Sequence, residues 1–167
     1  MRLSEYIDRI NHFFWRVAGW ISLVLVLLTV EQVGARYMFH SSSLAWQELE
    51  WHLFGLIFLF AAPHTLARDG HVRIDIFYSR FSPRGKAIIN LFGTLFFLFP
   101  VSVLIGWYGF EYAQSAYLIN EVSPDPGGLP YRWIIKGLIP FGSSLLILQG
   151  LSEIIKSITI LWKGVSR

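Results

Sequence analysis

The chain has 167 residues, of which 54% are hydrophobic, 17% aromatic and only 15% charged, and its apolar residues stand in long uncharged runs. This is a membrane composition, so a soluble domain is set aside in favour of one small membrane domain over residues 1–167. The net charge of +3 lies outside those runs with no aromatic-interleaved basic patch, which argues against nucleic acid, and the absence of Cys removes disulfide and thiolate chemistry.

Four spans are predicted, 13–36, 44–67, 87–110 and 133–160, each with at least about the 20 residues that cross a hydrocarbon core as a helix. Ahead of the first, Met1 to Asn11 is mixed, with Ile7 and Ile10 at helical spacing, and reads as an interfacial start. Arg2, Arg9 and Arg16 before an apolar run suggest a secretory signal, but the run continues past Val30 without a small-residue cleavage site. The first helix is therefore expected to be retained. Ala18 and Ser22 form a small pair that lets another helix approach, and Gln32 and Arg36 share a face at the far end.

The second span enters the apolar slab through acids and leaves it through bases, with Trp46, Glu48, Glu50 and His52 at its start and Arg68 just beyond its end. On a helix Glu48, His52, Gly55, Leu59 and Ala62 share one face, and Glu50 points the other way. Pro63 predicts a tolerated kink near its end. The basic loop that follows, Arg68 to Lys86, alternates only at Val72, Ile74 and Ile76 before Phe77 breaks the pattern, so an interfacial segment fits better than a strand. Pro83 then marks a helix start, and Pro100 predicts a bend in the third span. Glu111 to Arg132 is a long loop whose Ser123 to Pro130 is rich in helix breakers. Gly137 and Pro140 weaken the first turns of the fourth span.

With four spans, both termini and the loop 68–86 share one side. That side carries Arg2, Arg9, Arg16, Arg68, Arg73, Arg80, Arg84, Lys86, Lys156, Lys163 and Arg167, against Arg36, Arg132 and Lys136 on the other. The positive-inside rule makes both termini cytoplasmic. Trp46, Trp51, Trp107, Tyr112, Tyr131 and Trp133 then form an outer aromatic belt, and Trp15 and Trp162 lie near the inner interface.

The sharpest chemical pair is Glu48 with His52, one turn apart, able to relay a proton or bind a cation but more readily explained as polar residues of an interface. No HExxH zinc motif and no Ser, His and acid constellation is present, so neither catalysis nor a metal or other cofactor is expected. A haem between helices requires two imidazoles at one depth. His12 with His64, or His40 with His52, are the pairs available, but only His52 and His64 lie inside spans, about 18 Å of helix apart. Transport by this chain alone is not expected, since its midplane is Leu, Val, Ile and Phe with only Asn90, Thr94, Ser143 and Ser144 as polar candidates.

Arg36-Tyr37, then Leu44-Ala45-Trp46-Gln47-Glu48, then Gly70-His71-Val72-Arg73-Ile74-Asp75 resemble, in order and spacing, the small membrane subunit of TRAP transporters. The run Ser123 to Trp133 is similar to a subgroup labelled for mannitol, chloroaromatic or other organic-acid uptake. One departure stands out: many relatives carry two adjacent acids after the tryptophan, whereas Leu49 here separates Glu48 from Glu50, so only Glu48 carries over.

The resemblance implies an all-α, four-span protein of the bacterial inner membrane, an accessory subunit of a sodium-coupled, binding-protein-dependent transporter of organic anions. Its partners would be a large membrane subunit, a periplasmic binding protein and the lipid bilayer. Arg36, Trp46, Glu48, His52, His71, Arg73 and Asp75 are the expected partner interface, and Glu121, Asp125, Pro126, Gly127 and Tyr131 the expected docking turn for the binding protein. The alternative is a small membrane cytochrome or an anchor for an electron-transfer complex.

Overall fold

The computed structural model describes residues 2–68, 78 and 80–163. Among them the fold is all-helical: α1 (Arg2–Phe39), α2 (Leu44–Ala67), α3 (Pro83–Gly93), a π-helical turn (Thr94–Leu98), α4 (Phe99–Leu118) and α5 (Trp133–Lys163). The segments α3, π turn and α4 run on as one 36-residue rod, so four helices are long and apolar enough to cross a membrane. One end of the molecule holds the loops 40–43 and 119–132, and the other holds the first residues of α1 and the last of α5.

Arg2 to Asn11 starts the first helix, as expected. It is the first three turns of α1, with Ser4, Ile7 and Asn11 buried. The same spacing continues through Phe14, Ala18 and Ile21, which pack in the apolar core with Phe60 and Leu145. Steps of three and four residues keep one seam facing its neighbours. Rings of Phe14, Phe60 and Phe141 meet edge to face at 5.1–5.9 Å between centroids, joining α1, α2 and α5. A 38-residue helix is about 57 Å long, well beyond a hydrocarbon core of about 30 Å. The early turns of α1 therefore extend past the apolar slab alongside the end of α5.

α5 is the hub. It packs on α1, α2, α3, the π turn and α4, whereas the third rod makes no comparable contact with α1 or α2. A helix approached from several sides needs small residues, and the sequence supplies them. A Cβ on Gly142 would lie 2.8 Å from Leu59 of α2, and one on Gly150 would lie 3.0 Å from Leu98 and 3.2 Å from Thr94 of the π turn. On α4 a Cβ on Gly109 would lie 2.8 Å from Ile139. Ser143 sits in the same seam and donates its hydroxyl to the Ser102 carbonyl at 2.6 Å. Small residues and hydroxyls of this kind let helices close where no hydrophobic force drives them together in lipid.

The bend expected at Pro100 takes the form of the π turn just before it. Proline lacks an N–H and its ring crowds the carbonyl four residues back, that of Phe96. The backbone absorbs both by widening one turn, so that the Phe99 N–H donates to the Thr94 carbonyl five residues earlier. Pro63 and Pro140, by contrast, sit inside unbroken α2 and α5. Ser82 caps α3, its hydroxyl accepting from the Gly85 N–H at 3.2 Å, with Pro83 in the first turn.

Candidate functional site

The loop after α4 folds back on the start of α2, and Glu48 is the residue that holds it. Its carboxylate accepts the Ser123 hydroxyl at one oxygen and the Leu129 N–H at 2.6 Å at the other, and Arg132 stands 3.7 Å away. The side chain is almost closed off, with Glu48 only 6% exposed. Within the loop the Ser123 N–H donates to the Leu129 carbonyl and the Arg132 N–H to the Glu121 carbonyl, each at 3.1 Å. Gly128 lies where a Cβ would overlap Ser123 and come within 2.9 Å of the Glu48 carboxylate, so glycine is required by close approach.

A turn tops this base. The Gly128 N–H donates to the Asp125 carbonyl at 3.1 Å, Pro126 takes the first central position, and Gly127 takes the second with φ 81°. Those are the demands of a type II turn, one residue with proline's φ followed by one in the left-handed region. Pro124, Asp125, Pro126 and Gly127 are exposed while the residues beneath them are not. Tyr131 closes the loop at φ 58°, a conformation costly for a bulky side chain, and the residue is 61% exposed. Glu121 pairs with Lys136, which lies 3.7 Å over the Tyr112 ring, and Arg132 lies 5.6 Å over Trp51.

The residues expected to meet a partner thus divide. The stripe Glu48, His52, Gly55, Leu59 turns toward α5 and the loop of its own chain. His52 lines a hollow with Leu129, Pro130 and Tyr131, while Gly55 and Leu59 line another with Arg132 and Lys136. The His52 Nδ1 is hydrogen-bonded to the Glu48 carbonyl one turn back. Arg36 and Trp46 are exposed at the loop end. His71, Arg73 and Asp75, with the interfacial segment expected around them, lie outside the described residues.

A second polar assembly, which the sequence reading did not find, joins the other ends of α1 and α5. Asn11 donates to the Gln149 side-chain oxygen at 2.7 Å, and the Gln149 amide donates to Asp8 and Glu153 at 3.0 Å each. The Ser152 hydroxyl donates to Asp8 at 2.7 Å, and Lys156 reaches both Asp8 and Glu153 at 2.8 Å. Asn11, Gln149 and Ser152 have no exposure at all. The available signal was Gln149, a carboxamide inside a hydrophobic span, since such a group must find a partner.

Histidines come together nearby. The His12 and His64 rings lie 5.1 Å apart between centroids, and Trp15 stacks against both at 5.2 and 4.8 Å. The two imidazoles weighed for a haem at this end of the molecule are thus brought together, in contact with each other and with Trp15. Among the described residues no group of three or more His, Asp and Glu side chains forms a metal-binding cluster. What these elements do chemically is hold a loop and clasp helices.

A family model described as "Tripartite ATP-independent periplasmic transporters, DctQ component" matches residues 25–160. No curated protein matches the chain closely enough to be counted.

Proposed function

Because the chain belongs to the family of DctQ components of tripartite ATP-independent periplasmic transporters, we propose a division of labour between its two ends. The family makes this protein the small membrane subunit of such a transporter, a transport component and not an enzyme, working with a large membrane subunit and a periplasmic binding protein. The proposal is that the helical body braces the large subunit, and that the turn Asp125, Pro126, Gly127, with Glu121 at its base and Tyr131 at its exit, receives the binding protein. Arg36 and Trp46 belong on this reading to the contact with the large subunit, and Glu48 with His52 contributes by fixing the loop. The cargo is an organic anion and the coupling ion is sodium, both drawn from the resemblance of Ser123 to Trp133 and of the motifs before it. The membrane is the bacterial inner membrane, with both termini in the cytoplasm.

One observation carries the docking reading: an exposed turn stands on a base that Glu48, Ser123 and Leu129 lock from below. A loop held in one conformation loses less entropy on contact than a mobile one. The test replaces Asp125, Pro126 and Gly127 with Ser-Gly-Ser, which frees the tip and leaves the clamp intact. In proteoliposomes containing the whole transporter, the binding protein concentration for half-maximal uptake is expected to rise about tenfold, the equivalent of about 1.4 kcal/mol, with assembly unchanged. An unaltered concentration dependence with normal assembly rules out a docking role for this turn.

A further inference from the structure

α4 runs on beyond the apolar slab. Glu111 is exposed on its side, and a carboxylate so placed stands at or outside the edge of the hydrocarbon. Leu118 lies seven residues further along the same face, about 10 Å higher, whereas the head-group layer adds only about 5–8 Å on each side. A tilt of about 20° takes less than about 1 Å from that height. The chain is fixed there. Asn120 adopts the left-handed conformation at φ 49°, its N–H donates to the Tyr117 carbonyl at 3.1 Å, and the Glu121 N–H reaches back to the Ala116 carbonyl at 2.9 Å. These two bonds stop the helix in one conformation, and they leave Leu118, Ile119 and Val122 60–72% exposed. Three large apolar side chains standing in water, next to the turn at Asp125, make a surface that calls for a partner.

We propose that Leu118, Ile119 and Val122 are the apolar centre of the contact with the periplasmic binding protein, which meets them with apolar side chains set inside a basic rim; this rests on the reading that the loop end receives that protein. Height sets lipid tails aside. Charge chooses the partner's chemistry. The charged residues and histidines of this end, in 31–52 and 107–136, are all described. Glu48 and Glu121 stand against Arg132 and Lys136 in the base of the loop, a balanced set. The remainder are Glu31, Glu50, Glu111 and Asp125 against Arg36, beside His40 and His52. Such an excess of acid repels a second copy of this chain, which carries the same residues, and attracts a basic surface. An apolar centre within a charged rim is the anatomy of a protein interface, and a soluble partner reaches this one from the aqueous side without entering the bilayer.

The test replaces the patch and leaves the turn and the Glu48 clamp alone, with Leu118→Gln, Ile119→Gln and Val122→Thr in one chain. In proteoliposomes holding the whole transporter, the binding protein concentration for half-maximal uptake is expected to rise about tenfold, with assembly unchanged. The Ser-Gly-Ser turn variant is measured beside it. An unchanged value for the patch variant, with the turn variant weakened, overturns the patch and leaves the docking turn standing; unchanged values for both overturn the docking reading as well. Potassium chloride, added at fixed sodium, is expected to raise the wild-type value, and to raise it less steeply after Glu111→Gln with Asp125→Asn. A wild-type value indifferent to potassium chloride overturns the basic rim. A photo-crosslinker at position 119, in the assembled transporter with its binding protein present, decides the matter even where the triple variant fails to assemble. It is expected to label the binding protein, and labelling of the large subunit or of lipid in its place overturns the proposal.

Discussion

A carboxylate one turn into an apolar helix is expensive to desolvate, and Glu48 survives there because donors of its own chain surround it. Hydrogen bonds to an ionised acceptor are worth about 1.5–3 kcal/mol each, about twice those between neutral groups. Glu48→Gln keeps the size but offers the Leu129 N–H or the Ser123 hydroxyl an amide nitrogen that cannot accept. The loop is expected to lose about 1–3 kcal/mol of its hold. Trypsin cleavage after Arg132 should then accelerate about tenfold or more, while the helix content and the helix-to-helix packing stay as they are. A cleavage rate equal to wild type removes Glu48 from its part in fixing the loop. The sequence showed this residue and its neighbour His52 as a pair on one face; it did not show that the face turns inward, because the donors come from residues 75 and 81 positions further along.

Elements are paired here by two different means. α4 closes on α5 through small residues, which helical spacing makes readable. α1 closes on the end of α5 through carboxamides, hydroxyls and one ion pair, and that partnership spans more than 130 residues of chain. Gln149→Leu leaves the Asn11 amide without its acceptor at a site with no exposure, a cost of about 1–3 kcal/mol, and takes one of three partners from Asp8. The expected result is a fall of about 4–8 °C in the detergent melting temperature, taking about 2 kcal/mol at 2–4 °C each. A melting temperature at or above that of wild type would show that packing alone holds the seam, as happens when apolar residues replace some buried ion pairs. The π turn belongs to the same scale: Pro100 foretold a distortion, and the close seat of Thr94 and Leu98 against Gly150 fixes where the backbone takes it.

At the scale of the molecule, α5 serves as a central post with α1 and α2 on one flank and the third rod on the other, so much of the apolar surface is left to lipid and partners. Trp20 is 71% exposed and Trp107 67%. Eleven basic residues on the terminal side against three on the loop side set the expected orientation. A reporter fused after Arg167 should register as cytoplasmic, and one inserted between Asp125 and Gly128 as periplasmic. The reverse pattern would put the turn on the wrong side of the membrane for a binding protein and sink the docking proposal with the topology.

Four long apolar runs with few charges determine by themselves that the described chain is helical and built to span a membrane, because in hydrocarbon a helix satisfies every backbone group within its own segment. Turn residues from Ser123 to Pro130 likewise determine a non-helical loop, since glycine and proline act through local backbone geometry. Motif order and spacing pointed to the family that the match over residues 25–160 then gave. Which helix stands at the centre, which end Gln149 ties, and that Glu48 serves its own loop were decided only by the tertiary structure. Those outcomes depend on contacts between residues far apart in the chain, and a side chain's periodicity tells which face it occupies but not what that face will meet.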